Sequence, residues 1–524
     1  MHQKTLTLYL ILCCLPLRAF PQVAVPTQLK TASTHSYSVP IFNDPEAFDR
    51  MSAAFPIIEQ LYFDYADANH FPSISFGIVA DGKLMYTSSS GTANLSTGTK
   101  AGTKTLYRVA SMSKSFTSMA ILKLRDEGKL DLTDPVANYI AEMNLAGQLT
   151  ADAPAITVQH LMTMSAGFPE DNPWGDRQLD ATDEELLDIL RKGVSFSNVP
   201  GVNYEYSNLG YALLGKIIAN VSGRPYQQYI KEEILLPLGM ESTEWEYSEI
   251  PEESLARGYL WQDGEWEDVP YLHDGSYGAM GGLISSIEDF SKYIALHLDA
   301  WPPRDDPDTG PVRRSSIREM HQPWRINTLL PEAKTPGGAD CPAVVAYGYG
   351  VSWQKDCRGI VRIAHSGGLP GFGSEWRIYP DFGVGIVSFS NRTYGAPSSI
   401  NGIALDTLIA IADLKPRSLP TSKILEQRKS ELAEVLTGWE EGKLGIFADN
   451  FFLDEPLEQR KTNAKRLFDE AGTIQEISEL SPLNQLRGSF LLIGQKNNIR
   501  VFFTLNPQKD AFIQQVKLDL VNKP

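Results

Sequence analysis

Positive charge is scarce in this sequence. Across 524 residues, 47 Lys and Arg face 64 Asp and Glu, a formal net charge of −17. Such a chain repels polyanions, which excludes nucleic acid as a partner and disfavours adsorption to anionic lipid by charge alone. Long apolar runs are also missing. Beyond the first two dozen residues nothing approaches about eighteen unbroken apolar residues, so the mature chain is expected to carry no transmembrane segment and to be soluble. Cysteine is rare, four in all, and Cys13 and Cys14 fall near the N-terminus. No His-Glu-x-x-His and no clustered His and Cys spacing occurs, so neither a metal nor another cofactor is expected. No Gly-x-Ser-x-Gly elbow occurs either, which removes the α/β-hydrolase route to a serine nucleophile. A near P-loop at 210–216 ends in Ile217, where Ser or Thr should hold magnesium, and it lies in a helical pattern. Nucleotide binding is set aside, and no internal repeat is seen.

What is present begins with Lys4 and an uncharged apolar run over 5–15, followed by Arg18-Ala19 and a polar stretch. That order reads as a secretory signal over 1–24, cleaved between Ala19 and Ala24. An exported protein, periplasmic or secreted, is expected. In an oxidising compartment Cys341 and Cys357 could pair. The strand read between them could equally hold them apart as two free thiols.

Residues 25–43 read as a flexible leader, and Asn43-Asp44-Pro45 as a helix start, a cap followed by proline. Residues 74–79 and 83–86 around Asp81-Gly82 predict a hairpin with a tight primed turn. The middle, 105–300, is mainly helical in pattern. Strand signals return at 347–353, 360–364, 376–379 and 384–389. Strands at both ends with helices between predict an α+β fold, one antiparallel sheet flanked by helices with a helical lobe, over 44–412. A cleft between sheet and lobe is the natural site. Residues 413–422 read as a linker. Beyond it, helical runs at 430–439 and 457–468 and strands near 473–480, 485–493, 499–505 and 512–520 predict a small α+β domain over 423–524. It contains no candidate catalytic constellation.

Ser111-Met112-Ser113-Lys114 is a Ser-x-x-Lys motif at the predicted start of a helix. Positions i and i+3 share a helix face, so the Lys114 amine can reach the Ser111 hydroxyl. The helix N-terminus adds unpaired N–H groups and favours developing negative charge. A lysine with a lowered pKa could then take the serine proton. A second match, Ser352-Trp353-Gln354-Lys355, lies in a strand pattern, where i and i+3 face opposite sides, and fails that test. Tyr206-Ser207-Asn208 follows in a loop-like stretch before the apolar helix at 211–219. Tyr206 offers a phenol for proton transfer, and Asn208 a two-sided amide for a substrate carbonyl and the lysine. His365-Ser366-Gly367-Gly368 ends a strand, where small residues admit a substrate backbone and an N–H can complete an oxyanion hole. His273-Asp274-Gly275 has similar spacing but loop surroundings, and His160 reads as structural.

In this order and spacing, the three elements resemble the serine β-lactamase-related superfamily. The likeness is greatest to class C β-lactamases, low-molecular-weight D-Ala-D-Ala carboxypeptidases, and the related esterases and D-aminopeptidases. The resemblance covers residues 44–412 and includes Gly128-Lys129-Leu130-Asp131-Leu132-Thr133-Asp134-Pro135-Val136 and Gly281-Gly282-Leu283-Ile284-Ser285-Ser286. It implies that Ser111 forms an acyl-enzyme while Lys114 and Tyr206 handle the proton. It further implies that Asn208, with His365, Ser366, Gly367 and Gly368, binds a peptide or small-molecule substrate. The oxyanion would be held by the N–H groups of Ser111 and Gly368. Dedicated β-lactamases of this class carry Lys-Thr-Gly at the third element, where this chain has His365-Ser366-Gly367. The resemblance therefore points towards D-amino acid peptides or short acyl esters, with a β-lactamase or a non-catalytic ligand-binding relative as alternatives. The small C-terminal domain resembles cystatin-like or NTF2-like folds. Nothing in the sequence fixes the oligomeric state.

Overall fold

The computed structural model describes residues 37–523 except 45, 336 and 337. The expected signal over 1–24 lies outside the described residues. The chain divides into two compact units, one spanning Val39–Pro420, and the other containing the described residues from Thr421 onward.

The larger unit is built on a nine-stranded antiparallel sheet. Its strands, in chain order, are β1 (Ser73–Ala80), β2 (Lys83–Asn94), β3 (Thr99–Lys100), β4 (Arg325–Leu330), β5 (Ala343–Tyr347), β6 (Ser352–Asp356), β7 (Val361–Leu369), β8 (Phe372–Tyr379) and β9 (Val384–Ser390). They lie in the order β3-β2-β1-β9-β8-β7-β6-β5-β4, so distant segments close the sheet through the β1–β9 pair, Ile74 opposite Ser390. The β1–β2 hairpin turns through Asp81 at φ 48° and Gly82 at φ 69°, the left-handed pair that a primed turn requires. Every residue of β1 and β9 is buried. Helices cover both faces, which explains the apolar runs at 76–80 and 384–387 within them. One face carries α1 (Phe55–Ala68) and α5 (Ser398–Ala412); the other carries α4 (Ile287–Asp299) and, beyond it, the helical lobe.

Two helices of that lobe matter most. Helix α2 (Ser113–Asp126) buries eleven of its fourteen residues, and α3 (Asn208–Ser222) packs beside it in the same core. The strand expected at 347–353 is two strands, with a turn through Gly348 and Gly350 between β5 and β6. A two-stranded ribbon, Gly258–Gln262 with Glu265–Val269, interrupts the helical middle.

Cys341 and Cys357 form a disulfide with Cα atoms 5.1 Å apart. The strand between them does not hold them apart. The chain doubles back as the β5–β6 hairpin, so Ala343 pairs with Asp356 and the flanking cysteines meet.

The smaller unit packs α6 (Lys423–Gly438) and α7 (Leu457–Ala471) on an antiparallel sheet of five strands, β10 (Ile474–Ile477), β11 (Ser481–Asn484), β12 (Arg487–Gly494), β13 (Asn498–Leu505) and β14 (Ile513–Val521). Its own core includes Leu425, Leu432, Leu467, Phe490, Val501 and Phe503.

Candidate active site

The site is built around a tight turn. Val109 donates its N–H to Leu283 O at 2.9 Å and accepts from Ser374 Oγ at 2.7 Å. Ala110 then adopts φ +51°, the left-handed region that costs an alanine about 1–2 kcal/mol. Residues Ala110–Met112 form a single 3₁₀ turn before α2 begins at Ser113. The strained residue directly before Ser111 is held by the pairing of Tyr107–Arg108 with Ile284–Ser285. The helix starts two residues later than the sequence implies, but Ser111 and Lys114 still share its inner face.

Lys114 has no solvent exposure. Its Nζ lies 3.0 Å from Ser111 Oγ, 2.7 Å from Asn208 Oδ1 and 2.9 Å from Met280 O. Burial pulls the ammonium down to about 7, with Asp176 and Asp171 opposing the fall. The partner set has a chemical consequence. Asn208 Oδ1 and the Met280 carbonyl can only accept, so a neutral amine spends both N–H groups on them. Its lone pair is left for the hydroxyl of Ser111. The geometry thus makes Lys114 competent as a base towards that one proton.

Tyr206 and Asn208 reach the same point from the start of α3. The Tyr206 ring centre is 4.8 Å from Lys114 Nζ. Burial raises the phenol well above 10, opposed by Ser111, so it stands as a neutral O–H rather than a tyrosinate. Asn208 is the first residue of α3 rather than part of a loop. Its Nδ2 donates to Asn172 Oδ1 at 3.1 Å, which orients the amide with oxygen towards Lys114. Asp171 takes the free N–H groups of Asn208 at 2.6 Å and Leu209 at 2.9 Å, a carboxylate cap on the helix end that carries Asn208.

The third element lies on β7, which pairs with β6 only as far as Ala364 and leaves its edge free beyond. Gly367 is the contact: a Cβ there would meet Val109 O at 2.3 Å and Ser374 Oγ at 2.5 Å. Only glycine lets β7 approach the turn that presents Ser111. Ser366 is exposed, and Gly368 is half-buried beside Tyr394. His365 is buried. Its Nδ1 donates to Ser366 O at 2.6 Å, so Nε2 accepts the Tyr347 hydroxyl at 2.9 Å. Burial, then Lys114, pushes His365 down to about 3, against the Ser366 hydrogen bond. The imidazole is neutral and supplies no fixed charge.

Ser111, Lys114, Tyr206 and Asn208 are therefore brought together, with Gly367 and Gly368 at their side. His365 holds the Tyr347 hydroxyl. Sequence reasoning missed Asp171, the Met280 carbonyl, Tyr347, and the Asp176–Tyr394 pair. Only Asp171 left a signal, an acidic residue available to the first N–H groups of α3, which the Ser207 cap leaves free. His273 stays exposed, while neighbouring Asp274 is bound by Tyr226 and Gln227. Among the described residues no group of His, Cys, Asp and Glu could hold a metal, and no helix is long and apolar enough to cross a membrane.

The family model described as Beta-lactamase matches residues 58–411. The chain is 29% identical over 330 residues to Protein flp of Staphylococcus aureus, covering 62% of this chain and 60% of that one. It is 27% identical over 351 residues to unguisins hydrolase ungD' of Aspergillus campestris, covering 65% and 61%. It thus spans about three fifths of the length of these curated relatives. Its fold is similar to that of an octameric penicillin-binding protein homologue from Pyrococcus abyssi, with a TM-score of 0.57 and 23% identity over 90% of this chain and 98% of the other. A penicillin-binding protein from Bacillus halodurans has a TM-score of 0.50 and 22% identity over 68% and 98%.

Proposed function

The chain belongs to the beta-lactamase family, and on that premise we propose that it is a serine hydrolase working through an acyl-enzyme on an amide or ester carbonyl. D-amino acid peptides or short acyl esters are the substrates the site favours. The observation that carries the reading is the triangle of Lys114 Nζ with Ser111 Oγ, Asn208 Oδ1 and Met280 O. In the proposed cycle, Ser111 Oγ attacks the carbonyl carbon as its proton passes to Lys114. The oxyanion is received by the N–H groups of Ser111 and Gly368. Tyr206, kept protonated by burial, delivers a proton to the leaving group and is reprotonated through Lys114. Water repeats the sequence on the acyl group.

A β-lactamase reading is disfavoured by His365. A β-lactam brings a carboxylate, and a neutral imidazole with both nitrogens engaged offers it no charge. Export is supported by the Cys341–Cys357 disulfide, a bond that persists in oxidising compartments.

The test is steady-state hydrolysis of p-nitrophenyl acetate and nitrocefin by the native protein and Ser111→Ala. Ester turnover that needs Ser111 and exceeds nitrocefin turnover is expected. Turnover surviving in Ser111→Ala refutes the nucleophile, and preferred nitrocefin turnover refutes the substrate class.

A further inference from the structure

Asp176 is 2 % exposed and lies one residue beyond Gly175, where an added Cβ would stand 2.9 Å from Asn208 Nδ2. Its Oδ2 accepts the Tyr394 hydroxyl at 3.1 Å. Tyr394, with φ +50°, follows β9 and packs where a Cβ on Gly368 would be, 2.9 Å from its ring. This hydrogen bond joins the loop beside Asn208 to the loop beside Gly368. The second carboxylate oxygen, Oδ1, is buried and has no hydrogen-bond partner among the described residues. An ionised carboxylate has capacity for several donors, and leaving one oxygen dry is costly.

Next to it is a cavity of about 20 Å³, lined by Asp176, Leu179, Tyr271, Leu369 and Phe372 with Arg108. That is room for one water-sized group, and an ammonium is that size. Arg108 is committed elsewhere, donating to Gly282 O at 2.7 Å and to Leu272 O. Leu369, which lines the cavity, directly follows Gly368 in β7.

The charge balance points the same way. Two carboxylates, the half-buried Asp171 and the buried Asp176, act on Lys114, whose own charge is weakened by burial. Asp171 is used by the α3 N-terminus, and His365 carries no charge. One carboxylate therefore remains for a cation that the substrate brings.

We propose that Asp176 selects the acyl part of the substrate, its free Oδ1 receiving the ammonium of an unblocked amino acid residue whose carbonyl Ser111 attacks. This rests on the serine hydrolase reading above and names its substrate class: amides or esters of amino acids with a free amino group.

The test compares kcat/KM for D-alanine p-nitroanilide and its N-acetyl form, with p-nitrophenyl acetate as control, for native protein, Asp176→Asn and Tyr394→Phe. The native protein is expected to prefer the free amine by about tenfold or more, the worth of a charged hydrogen bond. Asp176→Asn brings the ratio close to one, and Tyr394→Phe, which keeps the carboxylate, retains it. Equal native rates on the two anilides, cleavage of neither while the acetate is turned over, or equal loss of preference in both variants overturns the proposal. Failure of Ser111-dependent acetate turnover instead removes the underlying hydrolase reading. Should Asp176→Asn not fold, the native ratio is followed against pH. Burial raises Asp176 to about 6 against Lys114 and Tyr394, with Asp171, Arg177 and Arg108 the other charged groups facing it. The preference should shrink as pH falls through that value; a flat ratio from pH 8 to 5 overturns it.

Discussion

Asn208 Oδ1 accepts from Lys114 Nζ at 2.7 Å, and the two residues lie 94 positions apart on adjacent helices. The contact fixes which direction the lysine lone pair takes once the amine is neutral. Asn208→Leu keeps much of the volume and removes the acceptor. Acylation should slow by about 10²-fold, the cost of a misplaced catalytic group. Pre-steady-state release of p-nitrophenol, read beside circular dichroism, checks this; unchanged acylation in a folded variant would show that the amide does not orient the amine.

The acid limb of activity should report Lys114. The base is useful only when neutral, and burial brings it to about 7. kcat/KM on a neutral ester should therefore rise as pH increases through that value. An acid limb near 4 would assign the base to a carboxylate instead.

Gly367→Ala tests the approach of β7 to the nucleophile turn. Its Cβ would fall 2.3 Å from Val109 O and 2.9 Å from Ala110 Cβ. Neither belongs to a flexible side chain, so strand or turn must shift, and overpacking of this kind costs about 1–3 kcal/mol. A lower Tm and strongly reduced acylation are expected together. Native-like values of both would mean that strand and turn are further apart.

Much of this was legible in the sequence because the relevant signals are local. The i, i+3 spacing of Ser111 and Lys114 needs only a helix, and Asp81-Gly82 needs only a turn. The apolar runs at 76–80 in β1 and 384–387 in β9 follow from helices on both sheet faces. The β5–β6 turn was hidden because Gly348, Tyr349, Gly350 and Val351 continue the apolar pattern of the strands around them. The ribbon from Gly258 was missed because its second strand, Glu265–Val269, is exposed and acidic and shows no apolar alternation. Asp176 and Tyr394 meet only after folding brings residues 218 positions apart into contact, and no local pattern encodes that.

A buried histidine pair predicts how stability depends on pH. His297 Nδ1 and His321 Nε2 are 2.7 Å apart, and Trp301 Nε1 donates to His321 Nδ1 at 2.9 Å. That bond requires His321 to donate from Nε2, so both rings are neutral. Burial pushes His321 down to about 3, and burial with the neighbouring ring pushes His297 well below its ordinary value. Their folded pKa values lie below the unfolded ones, so the unfolded chain binds more protons in acid. Stability is full above about 6.5 and is lost progressively as pH falls towards 3. Urea midpoints between pH 7.5 and 4.5 should fall, and more steeply in the native protein than in His321→Gln. Equal slopes would place the acid sensitivity elsewhere.

The most direct test of the central claim is intact mass after reaction with a fluorophosphonate, which phosphonylates an activated serine. A single adduct is expected on the native protein, located on the peptide carrying Ser111, and none on Ser111→Ala. An adduct that persists in Ser111→Ala, or none on the folded native protein, would contradict that claim.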